Sequence, residues 1–189
     1  GTNPPSPSSN ASPIISGTTD PGATVRIYKS NSCGGVVAAT TTADGSGFFS
    51  TSVTVNANAM TSLTATATDI GGTSPCSSPI LYVHDNLAPS APVIIGTMPP
   101  SPSDSTTPAV GGTAEPNSLI KIYLNGSCSG APATNGVANG SGFFAISVAV
   151  PANTTTTITA TATDAAGNIS VCSAPKTYRH DDLPPPVPA

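Results

Sequence analysis

The hexapeptide Thr64-Ala65-Thr66-Ala67-Thr68-Asp69 returns letter for letter as Thr159-Ala160-Thr161-Ala162-Thr163-Asp164. Its two-residue alternation is that of a β-strand, in which successive side chains point to opposite faces. Ile158, Ala160 and Ala162 are expected to line the inner face, and Thr157, Thr159, Thr161 and Thr163 to face water. Alanine buries little area, so the core against such a strand is thin and would gain from a covalent cross-link.

The repetition spreads outward from the hexapeptide. Pro4–Ser8 returns as Pro99–Ser103, Ile27-Tyr28 as Ile122-Tyr123, and Gly45–Phe49 as Gly140–Phe144. Cys33 returns as Cys128, an offset of 128 − 33 = 95, and after the hexapeptide Cys76 returns as Cys172, an offset of 172 − 76 = 96. One residue was therefore gained in a turn. Solenoid repeats run about 20 to 50 residues, so this period suits two copies of one small domain. The expected division is 1–86 for the first copy, 87–91 for a Pro-rich linker, 92–182 for the second copy and 183–189 for the start of a further linker. The first copy lacks a counterpart of Pro92–Ile95, so its first strand is expected to be missing. The last residues align with Pro92-Val93, and the chain is expected to continue into further copies.

Within the second copy the pattern resolves into short strands. They fall at 92–95, 108–113, 119–124 and, more weakly, 132–138. Asn139–Gly142 is a hairpin turn, because Asn-Gly tolerates positive φ. A fifth strand buries Phe144, Ile146, Val148 and Val150, the hexapeptide forms the sixth, and the seventh ends near Tyr178. About seven short strands with period-two patterning in roughly 95 residues fit an all-β sandwich. Two such domains in tandem predict an elongated arrangement.

Composition excludes several function classes. Charged residues are 7% of the chain, the net charge is −4, and the five basic residues are scattered. A nucleic-acid partner needs clustered Lys and Arg, so none is expected. No apolar run reaches the roughly 18 residues of a membrane helix, so no membrane insertion is expected. His84 and His180 are each followed by Asp and recur at matching positions, which reads as architecture rather than as a catalytic triad. The Gly-Ser-Gly turns lack the GK[ST] and the helix of a phosphate loop. The chain is therefore expected not to be an enzyme and to require no cofactor.

Several motifs together resemble the bacterial Ig-like domains of large surface adhesins. They are Gly112-Thr113-Ala114-Glu115-Pro116, the alternating Ile120-Lys121-Ile122-Tyr123, Gly140-Ser141-Gly142-Phe143, and Thr159–Asn168. The resemblance covers nearly the whole chain, twice. The first copy departs from it at Ile70-Gly71-Gly72-Thr73, and both copies carry two cysteines that most such domains lack. The resemblance implies an extracellular stalk segment that carries an adhesive tip away from a bacterial cell.

Matching positions in both copies favour disulfides within a copy, Cys33 with Cys76 and Cys128 with Cys172, with free buried thiols as the alternative. No CxxC pair points to zinc. The pairing requires Asn125–Ala133 and Asn168–Pro175 to fold toward each other along the sheet, because a disulfide needs Cα atoms within about 7 Å.

Six of the nine acids fall in repeat-matched pairs: Asp20 with Glu115, Asp69 with Asp164, and Asp85 with Asp181. The turns after strands two and six are expected at one end of the sandwich. Asp85, Asn86, Glu115 and Asp164 are therefore candidates for a calcium site at the joint, with Asp20, Asp69 and Asp181 as equivalents. The competing reading is turn chemistry, in which Asp bonds nearby backbone N–H groups.

Three functions fit these features. The first is a structural spacer of a bacterial surface or secreted adhesin or fibre, whose partners are neighbouring copies of the repeat. The second is a module that binds a glycan or protein on a host or prey surface. Sugar sites favour exposed aromatics, and Tyr28, Tyr82, Tyr123 and Tyr178 sit on strands in both copies, which favours core roles. The third is an accessory pair of a secreted enzyme.

Overall fold

The computed structural model of the 189-residue chain describes residues 1–185 and 187. Part of the expected linker at 183–189 thus lies outside the described residues. Every regular element among the described residues is a strand, and none is a helix that could cross a membrane. The chain divides into two compact units, Gly1–Leu87 and Ala88–Ala189. Ala88–Ala91, expected as linker, group with the second unit.

The first unit contains β1 (Thr2–Asn3), β2 (Ile14–Thr18), β3 (Thr24–Tyr28), β4 (Val37–Thr42), β5 (Phe48–Ser52), β6 (Met60–Asp69), β7 (Gly72–Thr73) and β8 (Ile80–Val83). One sheet has the order β1-β2-β5. The other has the order β4-β3-β6-β7, with β8 also paired to β6. The second unit contains β9 (Val93–Met98), β10 (Ala109–Thr113), β11 (Leu119–Tyr123), β12 (Thr134–Val137), β13 (Phe143–Ser147), β14 (Thr155–Thr163) and β15 (Lys176–Arg179). Its sheets are β9-β10-β13 and β12-β11-β14-β15. Each unit is a two-sheet antiparallel sandwich of seven or eight short strands, as the alternation predicts.

Period-two patterning places the core. Ile120 and Ile122 of β11, Ile158, Ala160 and Ala162 of β14, and Phe144 and Ile146 of β13 form one buried cluster. Val25, Ile27, Phe49 and Leu63 form its counterpart in the first unit. A fully buried Ile or Leu contributes about 1.5–3 kcal/mol, whereas each alanine contributes far less. Tyr82 and Tyr178 are fully buried in the two cores, and their hydroxyls donate to Asn10 O at 2.8 Å and Ser105 O at 2.7 Å.

The first strand of the first unit is shortened rather than missing. Thr2 and Asn3 pair with Ile15 and Ile14 just as Thr97 and Met98 pair with Val110 and Ala109.

The threonine face of the hexapeptide departs from expectation. Thr159 is 0% exposed and Thr161 6%, and Thr64 and Thr66 are likewise buried. The loop after the third strand folds back onto Thr64 and Thr159, and the Tyr28 hydroxyl lies 3.4 Å from Thr66 Oγ1. Thr159 Oγ1 donates to Asn125 O at 2.8 Å, and Thr64 Oγ1 donates to Ser30 O at 3.1 Å while accepting from the Cys33 N–H. Alternation marks the two faces of a strand. It does not reveal that a loop lies over the outer one.

Candidate functional site

The covering loop carries the first cysteine of each unit. Cys33 and Cys128 adopt left-handed backbone, with φ of 53° and 51°, a conformation uncommon outside glycine. This turn brings each thiol back along the sheet. Cys33 is joined to Cys76 and Cys128 to Cys172, with Cα–Cα distances of 5.6 and 5.7 Å. The bridge ties the loop after β3 or β11 to the segment that follows β6 or β14.

That second segment is held to the hexapeptide by serines that the sequence reading passed over. The Ala160 N–H donates to Ser173 Oγ and the Ala162 N–H to Ser170 Oγ, each at 2.9 Å. The Ser173 and Ser170 N–H groups donate back to Ala160 O and Ala162 O, also at 2.9 Å. Ser77 and Ser74 do the same for Ala65 and Ala67 in the first unit. A hydroxyl thus stands where a neighbouring strand would offer a carbonyl. The strand edge is satisfied although the segment is not a regular strand. The sequence signal is Ser-x-Cys-Ser, present as Ser74-Pro75-Cys76-Ser77 and Ser170-Val171-Cys172-Ser173. The serines therefore bracket the cysteine and present it beside the covered threonine face.

The acidic residues are placed as follows. In the first unit, Asp20 and Asp69 border one cleft of about 290 Å³ with Gly71 and Thr73. In the second, the pairing of Leu119 with Thr163 puts Glu115 and Asp164 at the same end of the sandwich. Asp85 and Asn86 lie at the other end of the first unit, where the Asn86 N–H donates to Asn58 Oδ1. Asn58 precedes β6 and Asp69 ends it, and β6 alone spans about 30 Å at roughly 3.3 Å per residue.

Most of these side chains also serve their own turns. Asp164 Oδ1 accepts from the Asn168 N–H and Oδ2 from Asn168 Nδ2, both at 2.8 Å. Asp69 Oδ1 accepts from the Gly71 N–H at 2.7 Å. Asp85 and Asp181 accept from the N–H groups of Leu87 and Leu183, and Asp181 also pairs with Arg179 at 2.8 Å. Within neither unit do the described residues gather three or more His, Cys, Asp or Glu that could hold a metal ion.

His84 and His180 are buried structural groups. Asn153 N–H donates to His180 Nδ1, and His180 Nε2 lies 2.9 Å from Asp104 O. This pair of contacts specifies the neutral Nε2–H tautomer. His84 Nδ1 accepts from the Asn58 N–H in the same way.

The hairpin turns differ by one residue. Asp44 Oδ1 accepts from Ser46 Oγ, Ser46 N–H and Phe48 N–H, and these bonds, led by the Ser46 hydroxyl, hold its carboxyl below the usual carboxylate range. Asn139 Oδ1 makes the equivalent backbone contacts to Ser141 and Phe143 without a charge.

Two disulfide-clamped β-sandwiches with Ig-like strand order define an all-β, Ig-like tandem. The family model for the bacterial Ig domain matches residues 4–82 and 88–177, and the chain belongs to that family. Among solved structures, the chain is similar to fibronectin(III)-like modules of Clostridium thermocellum CbhA. That match has 15% identity and a TM-score of 0.49, and covers 95% of this chain and 92% of that one. It is also similar to the BSP domain of a biofilm-associated protein, at 19% identity and a TM-score of 0.35, covering 90% of this chain. It spans only 28% of the length of that structure. The D00-D0 domain of intimin matches at 15% identity and a TM-score of 0.27, covering 87% of this chain and 83% of that one. No curated protein matches the chain.

Proposed function

We propose that the chain is a non-enzymatic spacer segment of a bacterial cell-surface or secreted adhesin or extracellular fibre. The observation that carries this reading is the clamp of Ser-x-Cys-Ser and disulfide over the hexapeptide strand, built twice in two self-contained units. A disulfide that ties the loop after the third strand to the segment after the sixth limits how far a unit can be drawn out under tension. Its partners on this reading are neighbouring copies of the same repeat. Disulfides persist outside the reducing cytosol, which supports an extracellular or surface location. The buried tyrosines and histidines serve packing and backbone satisfaction rather than chemistry, in keeping with a fold family that is generally non-catalytic.

Calcium coordination by Asp85, Asn86, Glu115 and Asp164, with Asp20, Asp69 and Asp181 as equivalents, is part of this proposal. The cleft shared by Asp20 and Asp69 supports it, and the turn bonds of Asp69 and Asp164 compete with it. Melting the chain with millimolar calcium and with chelator tests it. A rise in midpoint with calcium supports the ion, and identical curves remove it. Screening the chain on a glycan array separates the spacer from a binding module, because the spacer reading predicts no glycan retained above background.

A further inference from the structure

The chain leaves each unit through a segment that stays hydrogen-bonded beyond the end of its last strand. β8 ends at Val83 and β15 at Arg179. In the second unit, the His180 N–H donates to Thr154 O and the Asp181 N–H to Ser103 O, both at 2.9 Å. The Asp182 N–H then donates to Asn153 Oδ1 at 3.1 Å, and the Leu183 N–H to Asp181 Oδ1 at 3.3 Å. In the first unit, the N–H groups of His84, Asp85, Asn86 and Leu87 donate in the same order to Ala59 O, Ser8 O, Asn58 Oδ1 and Asp85 Oδ1. The two exits match bond for bond, and the prolines of Ala88-Pro89 and Pro184-Pro185 follow at once. Backbone pairing therefore runs up to the point where proline restricts the chain.

One residue in each unit works in two directions. Asn153 has left-handed backbone, φ 53°, which asparagine adopts more readily than most residues. Its N–H is given inward, to Nδ1 of the buried His180 at 2.9 Å, while its side-chain carbonyl catches the departing chain. Asn58, at φ 50°, stands in the same way between the buried His84 and Asn86. The bond from Leu87 to Asp85 is local and orders only its own turn. The bond from Asn86 to Asn58 bridges 28 residues of sequence and ties the exit to a distant loop of the same unit. We propose that Asn58 and Asn153 are the keystones of a latch that fixes the path by which the chain leaves each unit. Opening the latch frees Asn86-Leu87 or Asp182-Leu183 without unfolding the sandwich. The latch is internal to each unit and does not depend on the spacer reading.

The test uses the 189-residue chain, labelled with ¹⁵N and kept in chelator so that no bound ion can hold the segment. Backbone order parameters at Asn86 and Leu87 are expected near about 0.85 in the parent chain and below about 0.6 in Asn58→Gly. Glycine accepts positive φ and keeps the N–H for His84, so only the side-chain acceptor is lost. Asn58→Asp keeps that acceptor and is expected to retain the parent values. Leu63, Tyr82, Asp182 and Leu183 are expected to stay unchanged in both variants, and Asn153→Gly is expected to loosen Asp182 and Leu183 instead. Retained order at Asn86 and Leu87 in Asn58→Gly, equal loosening in Asn58→Asp, loosening that spreads to Leu63 and Tyr82, or an exit already mobile in the parent chain would overturn the proposal.

Discussion

Ser173 and Ala160 exchange two hydrogen bonds, each 2.9 Å long: the Ala160 N–H donates to Ser173 Oγ, and the Ser173 N–H donates to Ala160 O. A side-chain hydroxyl thereby completes a sheet edge where the next strand does not form. Cys172 sits one residue before that serine and is held over the strand by it. The order of cause runs from the serine to the position of the disulfide, and from there to the clamp.

Removing the serine hydroxyls should therefore loosen the clamp unequally in the two units. Ser173→Ala leaves the buried Ala160 N–H without an acceptor and is expected to cost about 1–3 kcal/mol. Ser77→Ala makes the same change at an exposed bond and is expected to cost less, about 0.5–1 kcal/mol. Urea denaturation of each variant, with the two units followed separately by NMR, gives both values.

Neighbouring threonines on the covered face should respond with opposite signs. Thr159 Oγ1 has a partner in Asn125 O, whereas Thr161 Oγ1 is buried with no hydrogen-bond partner. Thr159→Val is expected to destabilise the second unit by about 1–2 kcal/mol, and Thr161→Val to be neutral or stabilising by about 1 kcal/mol. Equal losses from both would show that the face is solvated rather than covered.

Each disulfide closes a sequence separation of 43 or 44 residues. In the chain-entropy view, such a loop stabilises by about 4 kcal/mol at 25 °C. Replacing Cys128 and Cys172 together by alanine is expected to lower the midpoint of the second unit alone, and urea denaturation should show the corresponding loss.

The first unit should be the more acid-sensitive at its hairpin. The Asp44 carboxyl is held below the usual range in the folded state, so its contribution is present above the unfolded value of about 3.9. That contribution is lost as pH falls through the lower folded value. Asn139 cannot titrate, and Asp44→Asn should flatten the fall in stability of the first unit between about pH 4 and pH 2. Thermal midpoints across that range test this.

The fold was legible because its signals are periodic. The 95-residue offset separated the copies, the alternation of Ile120 and Ile122 with Lys121 and Tyr123 marked a strand, and Asn139–Gly142 marked a turn. The loop over Thr159 was not legible, because alternation tells one face from the other but does not show what lies on each. Ser170 and Ser173 were present in a repeated Ser-x-Cys-Ser pattern. Their role is not legible there, because a hydroxyl that replaces a carbonyl leaves no periodic trace. For the acidic residues, one carboxylate can serve a turn or an ion with the same sequence, and Asp69 and Asp164 each bond to their own turns.

The proposed spacer role requires each disulfide-clamped unit to resist extension on its own. Force–extension measurements on single chains test it most directly. The account predicts two separate unfolding steps, each lengthened under reductant by roughly 140–160 Å, from about 3.3–3.6 Å for each residue the disulfide had locked. A single merged step, or steps whose length does not change on reduction, would contradict it.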